Sequence, residues 1–427
     1  MAAIRFIHCA DLHLDTPFRG LSDVDDERGK ALREATFKSF DNIVTAAITN
    51  EVDFVVIAGD IYDSADRGLR AQFKFQQGLE RLDAHDIQVF IACGNHDPLG
   101  GWSASIEWPA SVHTFAGDHV DMRQATRGGH VIANLHGISY EQEAVRENLA
   151  ARFRRPEDTI PAIAVLHANV GGDPTHPAYA PTTVEELADK GFDYWALGHV
   201  HAHRVLRSAG PAIVYPGCSQ SRHPNETGAK GCCLVTLAPA APPDIRFIPT
   251  DVVRYHRATL DISICESHDA VRFAIGAKCQ ALLQEDQGRH AIIRLTLSGR
   301  TGLHHELTRP VAQQELLQVI REDLDGWQPW AWVERLIIDT RGTYDLEEQR
   351  RREDFVGDLM AVYDMLLDPA TGMLAERIME LDNILATWQG YRFLKDPSSG
   401  LSITPDEMAL LADQARRMTL DLLVEES

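Results

Sequence analysis

Strand-length apolar runs alternate with amphipathic stretches through the first half of the 427-residue chain, and few folds accommodate that order. After the first run, Leu32, Phe40 and Val44 recur at the spacing of a helix face. Runs that are apolar and long enough for one strand are 4–9, 54–58, 89–93, 131–135, 162–166, 194–197 and 212–215. Alternating strands and helices predict an α/β domain, in which ligands gather at the carboxyl ends of the strands.

Polar side chains follow five of these runs at the point where each run ends. They are Asp11 and His13, Asp60 and Asp63, Asn95, His96 and Asp97, His167, and His199 and His201. Taken singly, each motif is weak, because a buried histidine is more often a core residue and Gly-Asp commonly marks a turn. Together they predict that carboxylate, amide and imidazole groups meet at one sheet edge. Such a mixture suits manganese, iron or zinc, and a thiolate cage is absent.

Charge and cysteine content restrict the partners and the compartment. The net charge of -22 argues against a protein that coats nucleic acid by bulk electrostatics, although it allows an enzyme with a local basic groove. The seven cysteines include no Cys-x-x-Cys pair, so we interpret them as small buried hydrophobes in a reducing compartment and predict a cytoplasmic protein. No apolar run approaches membrane-spanning length, so no membrane partner is expected.

The turn-rich stretch 238–243 predicts the end of the first domain, and a β-α-β-α-β pattern follows it. From about residue 344 acidic residues outnumber basic ones. Two apolar stripes with helical steps, 374–388 and 408–422, lie in that acidic part. We therefore predict three parts: residues 1–250 as the site-bearing domain, 251–342 as a small α+β cap, and 343–427 as an acidic helical segment.

The order of the polar motifs resembles the calcineurin-like metallophosphoesterase superfamily. The motifs are Asp-x-His at 11–13, Gly-Asp-x-x-Asp at 59–63, Gly-Asn-His-Asp at 94–97, a lone His167, and Gly-His-x-His at 198–201. Flanking stretches, among them 8–18 and 191–199, resemble the DNA-repair exonuclease branch, that is, the SbcD nucleases and particularly their YhaO-like relatives. The resemblance implies a four-layer α/β/β/α sandwich with a small α+β cap domain and a C-terminal helical segment.

The resemblance also implies a role for each motif residue. One divalent metal ion would bind Asp11, His13 and His201, a second would bind Asn95, His167 and His199, and Asp60 would bridge them. Manganese is the expected metal, with iron, zinc and magnesium as alternatives. His96 would protonate the leaving oxygen, with Asp97 orienting its ring. Archaeal and eukaryotic double-strand-break nucleases carry a histidine where this chain has Asp63, which leaves His96 as the proton donor among the motif residues.

The expected function is that of a two-metal phosphodiesterase acting on DNA, as an exonuclease in DNA repair. The acidic helical segment is compatible with docking to an SMC-like coiled-coil ATPase, and a homodimer is expected by analogy. Two alternatives stay open: an enzyme that hydrolyses a small-molecule phosphoester, and a non-catalytic scaffold subunit for an ATPase. Outside the motifs, Arg222 is a candidate phosphate contact, and an ordinary solvated loop is an equally good interpretation of its surroundings.

Overall fold

The computed structural model describes residues 3–14, 16, 26–63, 68–101, 104, 106–173, 177–239, 241–374, 376–377, 380 and 405–423. The chain divides into two compact units. The first comprises residues 1–258, 279–294 and 324–335, and the second comprises residues 259–278, 295–323 and 336–427. The predicted boundaries at residues 250 and 342 stay predictions.

The β-strands are distributed along most of the described chain. They are β1 (Ile4–Cys9), β2 (Phe54–Ala58), β3 (Gln88–Ala92), β4 (Val112–Thr114), β5 (Asp121–Arg127), β6 (His130–Ile138), β7 (Ala162–His167), β8 (Tyr194–Gly198), β9 (Arg204–Arg207), β10 (Ala212–Tyr215), β11 (Gly231–Leu237), β12 (Asp244–Pro249), β13 (Val253–Asp261), β14 (His290–Arg300) and β15 (Ala331–Arg341).

The α-helices flank and follow these strands. They are α1 (Asp26–Thr49), α2 (Leu69–Asp83), α3 (Val184–Asp189), α4 (His268–Glu285), α5 (His304–Leu307), α6 (Pro310–Asp323), α7 (Leu346–Arg350), α8 (Phe355–Leu367) and α9 (Pro405–Leu423). Short 3₁₀ helices cover Leu149–Arg152 and Pro369–Thr371.

The first unit contains two six-stranded sheets. Their strand orders are β12-β11-β1-β2-β3-β4 and β5-β6-β7-β8-β10-β9. Strands β1 to β4 are parallel in the first sheet, and β6, β7, β8 and β10 are parallel in the second. Because parallel neighbours end at the same edge, the loops after β1, β2 and β3 lie side by side, as do those after β7 and β8.

Side chains that alternate along each strand produce the layers. Phe6 points into a core between the two sheets, whereas its neighbour Ile7 belongs to a second core. The core between the sheets includes Phe6, Phe54 and Phe90 of the first sheet and Leu135, Val165 and Val214 of the second. The outer cores pack α1 and α2 on the first sheet, and α3 and the first 3₁₀ helix on the second. The predicted mixed α/β sandwich is therefore confirmed.

The remaining strands form a smaller sheet of order β13-β14-β15. In the second unit, Val356 and Met360 of α8 pack with Leu420 of α9, which confirms that helices follow the last strand. The predicted stripe at 408–422 falls on α9, and its members Met418 and Leu422 are exposed. Of the stripe at 374–388, only residues 374, 376–377 and 380 belong to the described part of the chain. None of the described helices is both long and apolar enough to cross a membrane.

Candidate metal centre

The loops after the central strands are held together by backbone hydrogen bonds. The backbone N–H of Asp11 donates to the Gly59 carbonyl oxygen at 3.0 Å, and that of His13 donates to the Asp60 carbonyl oxygen at 3.0 Å. The backbone N–H of His199 donates to both carboxylate oxygens of Asp11 at 3.1 and 3.2 Å. These bonds fix three of the five predicted motifs relative to one another before any side-chain ligand is considered.

Four predicted ligands adopt left-handed backbone conformations, which non-glycine residues rarely do. The φ angles are 50° for Asp11, 43° for His13, 53° for Asp60 and 103° for His199. Each such conformation costs on the order of 1–3 kcal/mol and persists only where the surrounding structure enforces it. Backbone strain concentrated on four motif residues marks this edge of the sheets as a functional site.

Gly198 allows the second sheet to approach the first beside the centre. A Cβ atom at this position would lie 1.8 Å from the Ala58 carbonyl oxygen and 2.8 Å from Nδ1 of His167. Any side chain would therefore push β8 away from β2 and displace the His167 ring. This explains the glycine before His199 in the last motif.

Four groups of ligand-type side chains converge at this edge among the described residues, and the ligand atoms of each group lie within 4.8 Å of one another. Two groups consist of predicted ligands alone: Asp11, His13 and His201, and Asp11, Asp60 and His167. The other two are His13, Asp60 and His96, and His201, Cys218 and Glu226. The Nε2 atoms of His13 and His201 are 3.3 Å apart. Nε2 of His167 lies 3.0 Å from Asn95 Oδ1 and 3.4 Å from Asp60 Oδ2. The His199 ring lies 5.1 Å from the His167 ring. The structure thus brings all seven predicted ligands together.

Hydrogen bonds to the outward ring nitrogens determine which nitrogen each histidine can offer. Nδ1 of His167 lies 2.9 Å from the Ala58 carbonyl oxygen, and Nε2 of His199 lies 2.8 Å from the Pro177 carbonyl oxygen. Since a carbonyl oxygen only accepts, these nitrogens carry the protons. The opposite nitrogens, Nε2 of His167 and Nδ1 of His199, are therefore the ones that the two rings can offer to a metal.

The charge state of the buried groups suits a divalent cation. Burial lowers the pKa of His13 to about 3, so its imidazole is neutral at pH 7. Although burial alone raises the pKa of Asp60, the His167 ring holds it well below the usual range, so Asp60 is ionised. Burial also opposes charge on His167, yet the Asp60 and Asp11 carboxylates raise its pKa to about 9. Without metal the His167 ring is therefore protonated at pH 7, and binding of a cation would release that proton, with the ionised Asp60 as an anionic ligand.

His96 and Asp97 lie beside this cluster, and hydrogen bonds fix both residues. The Asp97 carboxylate accepts the backbone N–H groups of Gly94 at 2.7 Å, Ile61 at 2.7 Å and Asp60 at 3.2 Å. Nδ1 of His96 lies 2.7 Å from the Asp63 carbonyl oxygen. In the structure, Asp63 therefore supplies the contact that orients the His96 ring, and Asp97 joins the loops that follow β2 and β3.

Two carboxylates outside the predicted ligand set contact predicted ligands: Asp63, which belongs to a predicted motif, and Glu226, which sequence reasoning missed. Oε1 of Glu226 lies 2.7 Å from Nδ1 of His201, and Oδ1 of Asp63 lies 3.2 Å from Nδ1 of His13. Arg222 joins the two acids, because its Nη1 donates to Asp63 Oδ1 at 2.8 Å and its backbone N–H donates to Glu226 Oε2 at 2.8 Å. Glu226 follows no strand-like run, so no local pattern marks it.

Comparisons with known proteins agree with this geometry. Residues 4–203 match the family described as calcineurin-like phosphoesterase, and residues 255–341 match the family described as the middle domain of metallophosphoesterase YhaO. Calcineurin-like phosphoesterases are hydrolases of phosphoesters that use a dimetal centre.

Individual relatives narrow the assignment. A Bacillus subtilis (strain 168) protein described as "Uncharacterized metallophosphoesterase YhaO" is 36% identical over 346 residues, which cover 80% of this chain and 83% of the relative. The DNA double-strand break repair protein Mre11 of Thermoplasma acidophilum is 26% identical over 308 residues, which cover 69% of this chain and 76% of the relative. A solved dimetal phosphatase from Danio rerio aligns with a TM-score of 0.33 at 13% identity, covering 57% of this chain and 96% of that chain. The chain belongs to the YhaO-type family of calcineurin-like metallophosphoesterases.

Proposed function

We propose that this metallophosphoesterase is a two-metal-ion phosphodiesterase that hydrolyses DNA, acting as an exonuclease in DNA repair. The observation that carries the proposal is the convergence of Asp11, Asp60 and His167, whose ligand atoms lie within 4.8 Å of one another at one edge of the two sheets. The choice of DNA is supported by the 26% identical relative, which is named a DNA double-strand break repair protein.

The residues that would hold the ions divide into two sets with one shared member. Asp11, His13 and His201 would bind the first ion, Asn95, His167 and His199 the second, and Asp60 both. This donor set of carboxylate, amide and imidazole groups suits manganese, iron or zinc, and manganese is the metal in this proposal, with iron, zinc and magnesium as alternatives. When bound, two such ions stabilise charge on the phosphodiester and lower the pKa of a shared water.

His96 is the proposed donor of a proton to the leaving oxygen. Its Nδ1 is committed to the Asp63 carbonyl oxygen, so the proton available for transfer is on Nε2. The His96 backbone N–H donates to Asp60 Oδ1 at 2.9 Å, which fixes the residue beside the proposed bridging carboxylate. The half-buried ring is thus held by two contacts while one nitrogen stays available to a substrate.

Asp97 acts in this proposal through the backbone. Its carboxylate holds the N–H groups of Gly94, Asp60 and Ile61, and it therefore fixes the position of the Asp60 side chain relative to the loop that carries Asn95 and His96.

We further propose that the C-terminal helices dock a partner, for which an SMC-like coiled-coil ATPase remains the expected candidate. Support comes from α9, where Leu410, Leu411 and Met418 are 59%, 48% and 58% exposed although they are apolar. A homodimer remains a second proposal on the same surface. Sedimentation of the full chain alone separates the two, because only the homodimer forms without an added protein.

The function is tested by supplying metal-stripped protein with manganese, magnesium or zinc and following end-labelled linear DNA beside a chromogenic phosphodiester. We expect stepwise shortening of the DNA that requires metal and is lost in Asp60→Asn and His96→Ala. The exposed His119, changed to alanine, is the matched control and should retain activity. Cleavage of the chromogenic substrate with intact DNA would replace DNA by a smaller phosphoester, and no metal-dependent hydrolysis of either substrate would reject the proposal.

A further inference from the structure

A main-chain atom of another loop orients the proposed proton donor, His96. Nδ1 of His96 lies 2.7 Å from the Asp63 carbonyl oxygen. Because a carbonyl oxygen only accepts, this contact keeps a proton on Nδ1 and leaves Nε2 to exchange a proton with a substrate. The position of the Asp63 main chain therefore decides how the His96 ring is presented.

Main-chain hydrogen bonds hold the loop after β2 only as far as the residues before Asp63. The backbone N–H of Leu14 donates to the Ile61 carbonyl oxygen at 2.8 Å, and Leu14 pairs with Tyr62 in an isolated β-bridge. Among the residues that the structure describes, no hydrogen bond between main-chain atoms anchors Asp63 itself. Its side chain is therefore needed to fix its position.

Arg222 holds that side chain. Its Nη1 donates to Asp63 Oδ1 at 2.8 Å. Nδ1 of His13 lies 3.2 Å from the same oxygen but makes no hydrogen bond within the described part of the chain, so it does not replace the guanidinium. The side chains of Arg222 and Asp63 are 14% and 30% exposed, so water screens this ion pair less than it screens a pair on the open surface.

Arg222 is itself fixed within the loop that follows β10. Its backbone N–H donates to Glu226 Oε2 at 2.8 Å, and the Ser221 hydroxyl donates to the Glu226 carbonyl oxygen at 2.6 Å. Nη2 of Arg222 lies 3.7 Å from Glu226 Oε1. A well-held arginine thus connects a loop of the second sheet to the loop after β2 in the first.

We propose that Arg222 is a positioning residue for the proton donor: through Asp63 it holds the carbonyl oxygen that orients the His96 ring. The inference rests on the proposed function, in which His96 protonates the leaving oxygen. It also gives Arg222 a role other than the phosphate contact for which its sequence makes it a candidate.

Loss of the guanidinium would release the Asp63 side chain and, with it, the carbonyl oxygen. The His96 ring could then turn, and its donor nitrogen would no longer face the leaving oxygen. A misplacement of about 1 Å can cost about 10²-fold in rate. The loss is confined to substrates whose leaving oxygen needs a proton, which a DNA alkoxide does and a chromogenic phenolate does not.

Steady-state kinetics of the full-length protein at saturating manganese, on DNA and on the chromogenic phosphodiester, test the inference. We expect Arg222→Gln to lower kcat for DNA by up to about 10²-fold with KM unchanged, and to change kcat for the chromogenic substrate much less. Arg222→Lys should restore part of the loss, because an ammonium keeps the charge and a donor for Asp63. In a His96→Ala background, Arg222→Gln should cause no further loss on DNA.

Arg294→Gln is the matched control, because Arg294 also pairs with a carboxylate, that of Glu334, at 2.8 Å, but in the three-stranded sheet. It should leave the kinetics on both substrates unchanged. Bound manganese is measured in every sample, because Nη2 of Arg222 lies 3.3 Å from Nδ1 of His201. At saturating manganese, Arg222→Gln should bind as much metal as the wild type.

Nitrogen-15 NMR of histidine-labelled, metal-stripped protein in alkaline buffer reports the state of the ring without any measurement of activity. The His96 signals are identified by their absence in His96→Ala. They should show a ring protonated on Nδ1 in the wild type and in Arg294→Gln. In Arg222→Gln they should shift towards the average of the two tautomers.

The possible failures give different results. A rise in KM for both substrates would assign Arg222 to phosphate binding, and equal losses of kcat on both substrates or a loss of bound metal would assign it to the metal centre. Each of these results, or unchanged kinetics and NMR signals in Arg222→Gln, would overturn the inference while His96→Ala still selectively impairs DNA cleavage. Equal losses on both substrates in His96→Ala would overturn the proposed proton donor and the inference together.

Discussion

The Asp97 carboxylate accepts the backbone N–H groups of Gly94 and Ile61 at 2.7 Å each, and so it ties together the loops that follow two neighbouring strands. Because Asp97 is 1% exposed, a substitution leaves buried N–H groups without their acceptor. We expect Asp97→Asn to destabilise the protein by about 1–3 kcal/mol in urea unfolding and to lower metal-dependent hydrolysis.

A double variant separates this role from orientation of the His96 ring. If Asp97 positions the Asp60 backbone, Asp97→Asn lowers activity further in a His96→Ala background. Equal activity of the double variant and of His96→Ala alone would assign Asp97 to the ring instead.

His96→Ala should reveal a proton donor through its dependence on the leaving group. General-acid catalysis contributes roughly 10²- to 10⁴-fold, and a DNA alkoxide needs the proton whereas a chromogenic phenolate leaves without it. We therefore expect kcat for DNA to fall within that range and kcat for the chromogenic phosphodiester to change much less. Equal losses on both substrates would show that His96 acts by other means.

Metal binding should raise the thermal stability of the stripped protein. Ligand that binds only the folded state contributes about 2.7 kcal/mol at a concentration 100 times its Kd. Calorimetry with increasing manganese should show a rising Tm in the wild type and a smaller rise in Asp60→Asn, whose buried carboxylate lies in the ligand cluster. Glu334→Gln is the control and should match the wild type, because Glu334 pairs with Arg294 in the three-stranded sheet, at 2.8 Å. A Tm that does not respond to metal would contradict the predicted centre.

His8 predicts a loss of stability in mild acid. Its Nδ1 lies 3.0 Å from the Tyr194 hydroxyl and its Nε2 lies 3.2 Å from the Leu197 carbonyl oxygen, contacts that the neutral ring satisfies. Burial lowers the pKa of His8 to about 3 from an ordinary 6.5. As the pH decreases, His8 therefore takes up its proton in the unfolded chain before it does so in the folded protein. The free energy of unfolding falls below pH 6.5, by about 1.4 kcal/mol per pH unit.

The non-titrating variant His8→Gln isolates this effect from the carboxylates that both proteins share. Urea unfolding at pH 7, 6 and 5 should show the stability difference between wild type and variant changing by about half that amount between pH 7 and 6, and by nearly the full amount between pH 6 and 5. A difference that is constant with pH would contradict a neutral buried His8.

Gly198→Ala should lower the free energy of unfolding by more than ordinary overpacking does, which is about 1–3 kcal/mol. The reason is that the added Cβ would lie 1.8 Å from the Ala58 carbonyl oxygen. Gly276→Ala is the matched control. No atom lies within 4 Å of its Cβ position, and alanine in the α4 interior should stabilise by up to about 1 kcal/mol. Thermal unfolding of both variants measures the contrast.

The sequence predicted most of the central strands and less of the sheet margins. β2 and β7 are buried along their whole length, so an unbroken apolar run marks each of them. β5, in contrast, is largely exposed and reads Asp-Met-Arg-Gln-Ala-Thr-Arg, a composition that gives no apolar periodicity. β5 forms because it pairs with β6, and a local stretch of sequence does not reveal that pairing.

The same limit applies to the site. Asp11, Asp60 and His199 could be predicted because each follows an apolar strand, and the ends of parallel strands meet. Glu226 could not, since only the folded chain brings it to His201 from a loop that lies 25 positions further along. The contact of the His96 ring with the Asp63 carbonyl oxygen could not be predicted either, because every residue has a carbonyl oxygen and the residue type does not show which one is used.

The left-handed backbone of Asp11, His13, Asp60 and His199 has a consequence for metal supply. These conformations are enforced by hydrogen bonds between neighbouring loops, such as that from His13 N–H to the Asp60 carbonyl oxygen at 3.0 Å. The chain itself therefore holds the ligands in place before metal binds, and the binding free energy of the ion is not reduced by the cost of ordering them. One ion can leave and another enter without local refolding, so the supply of each metal, more than the fold, sets which one the enzyme carries.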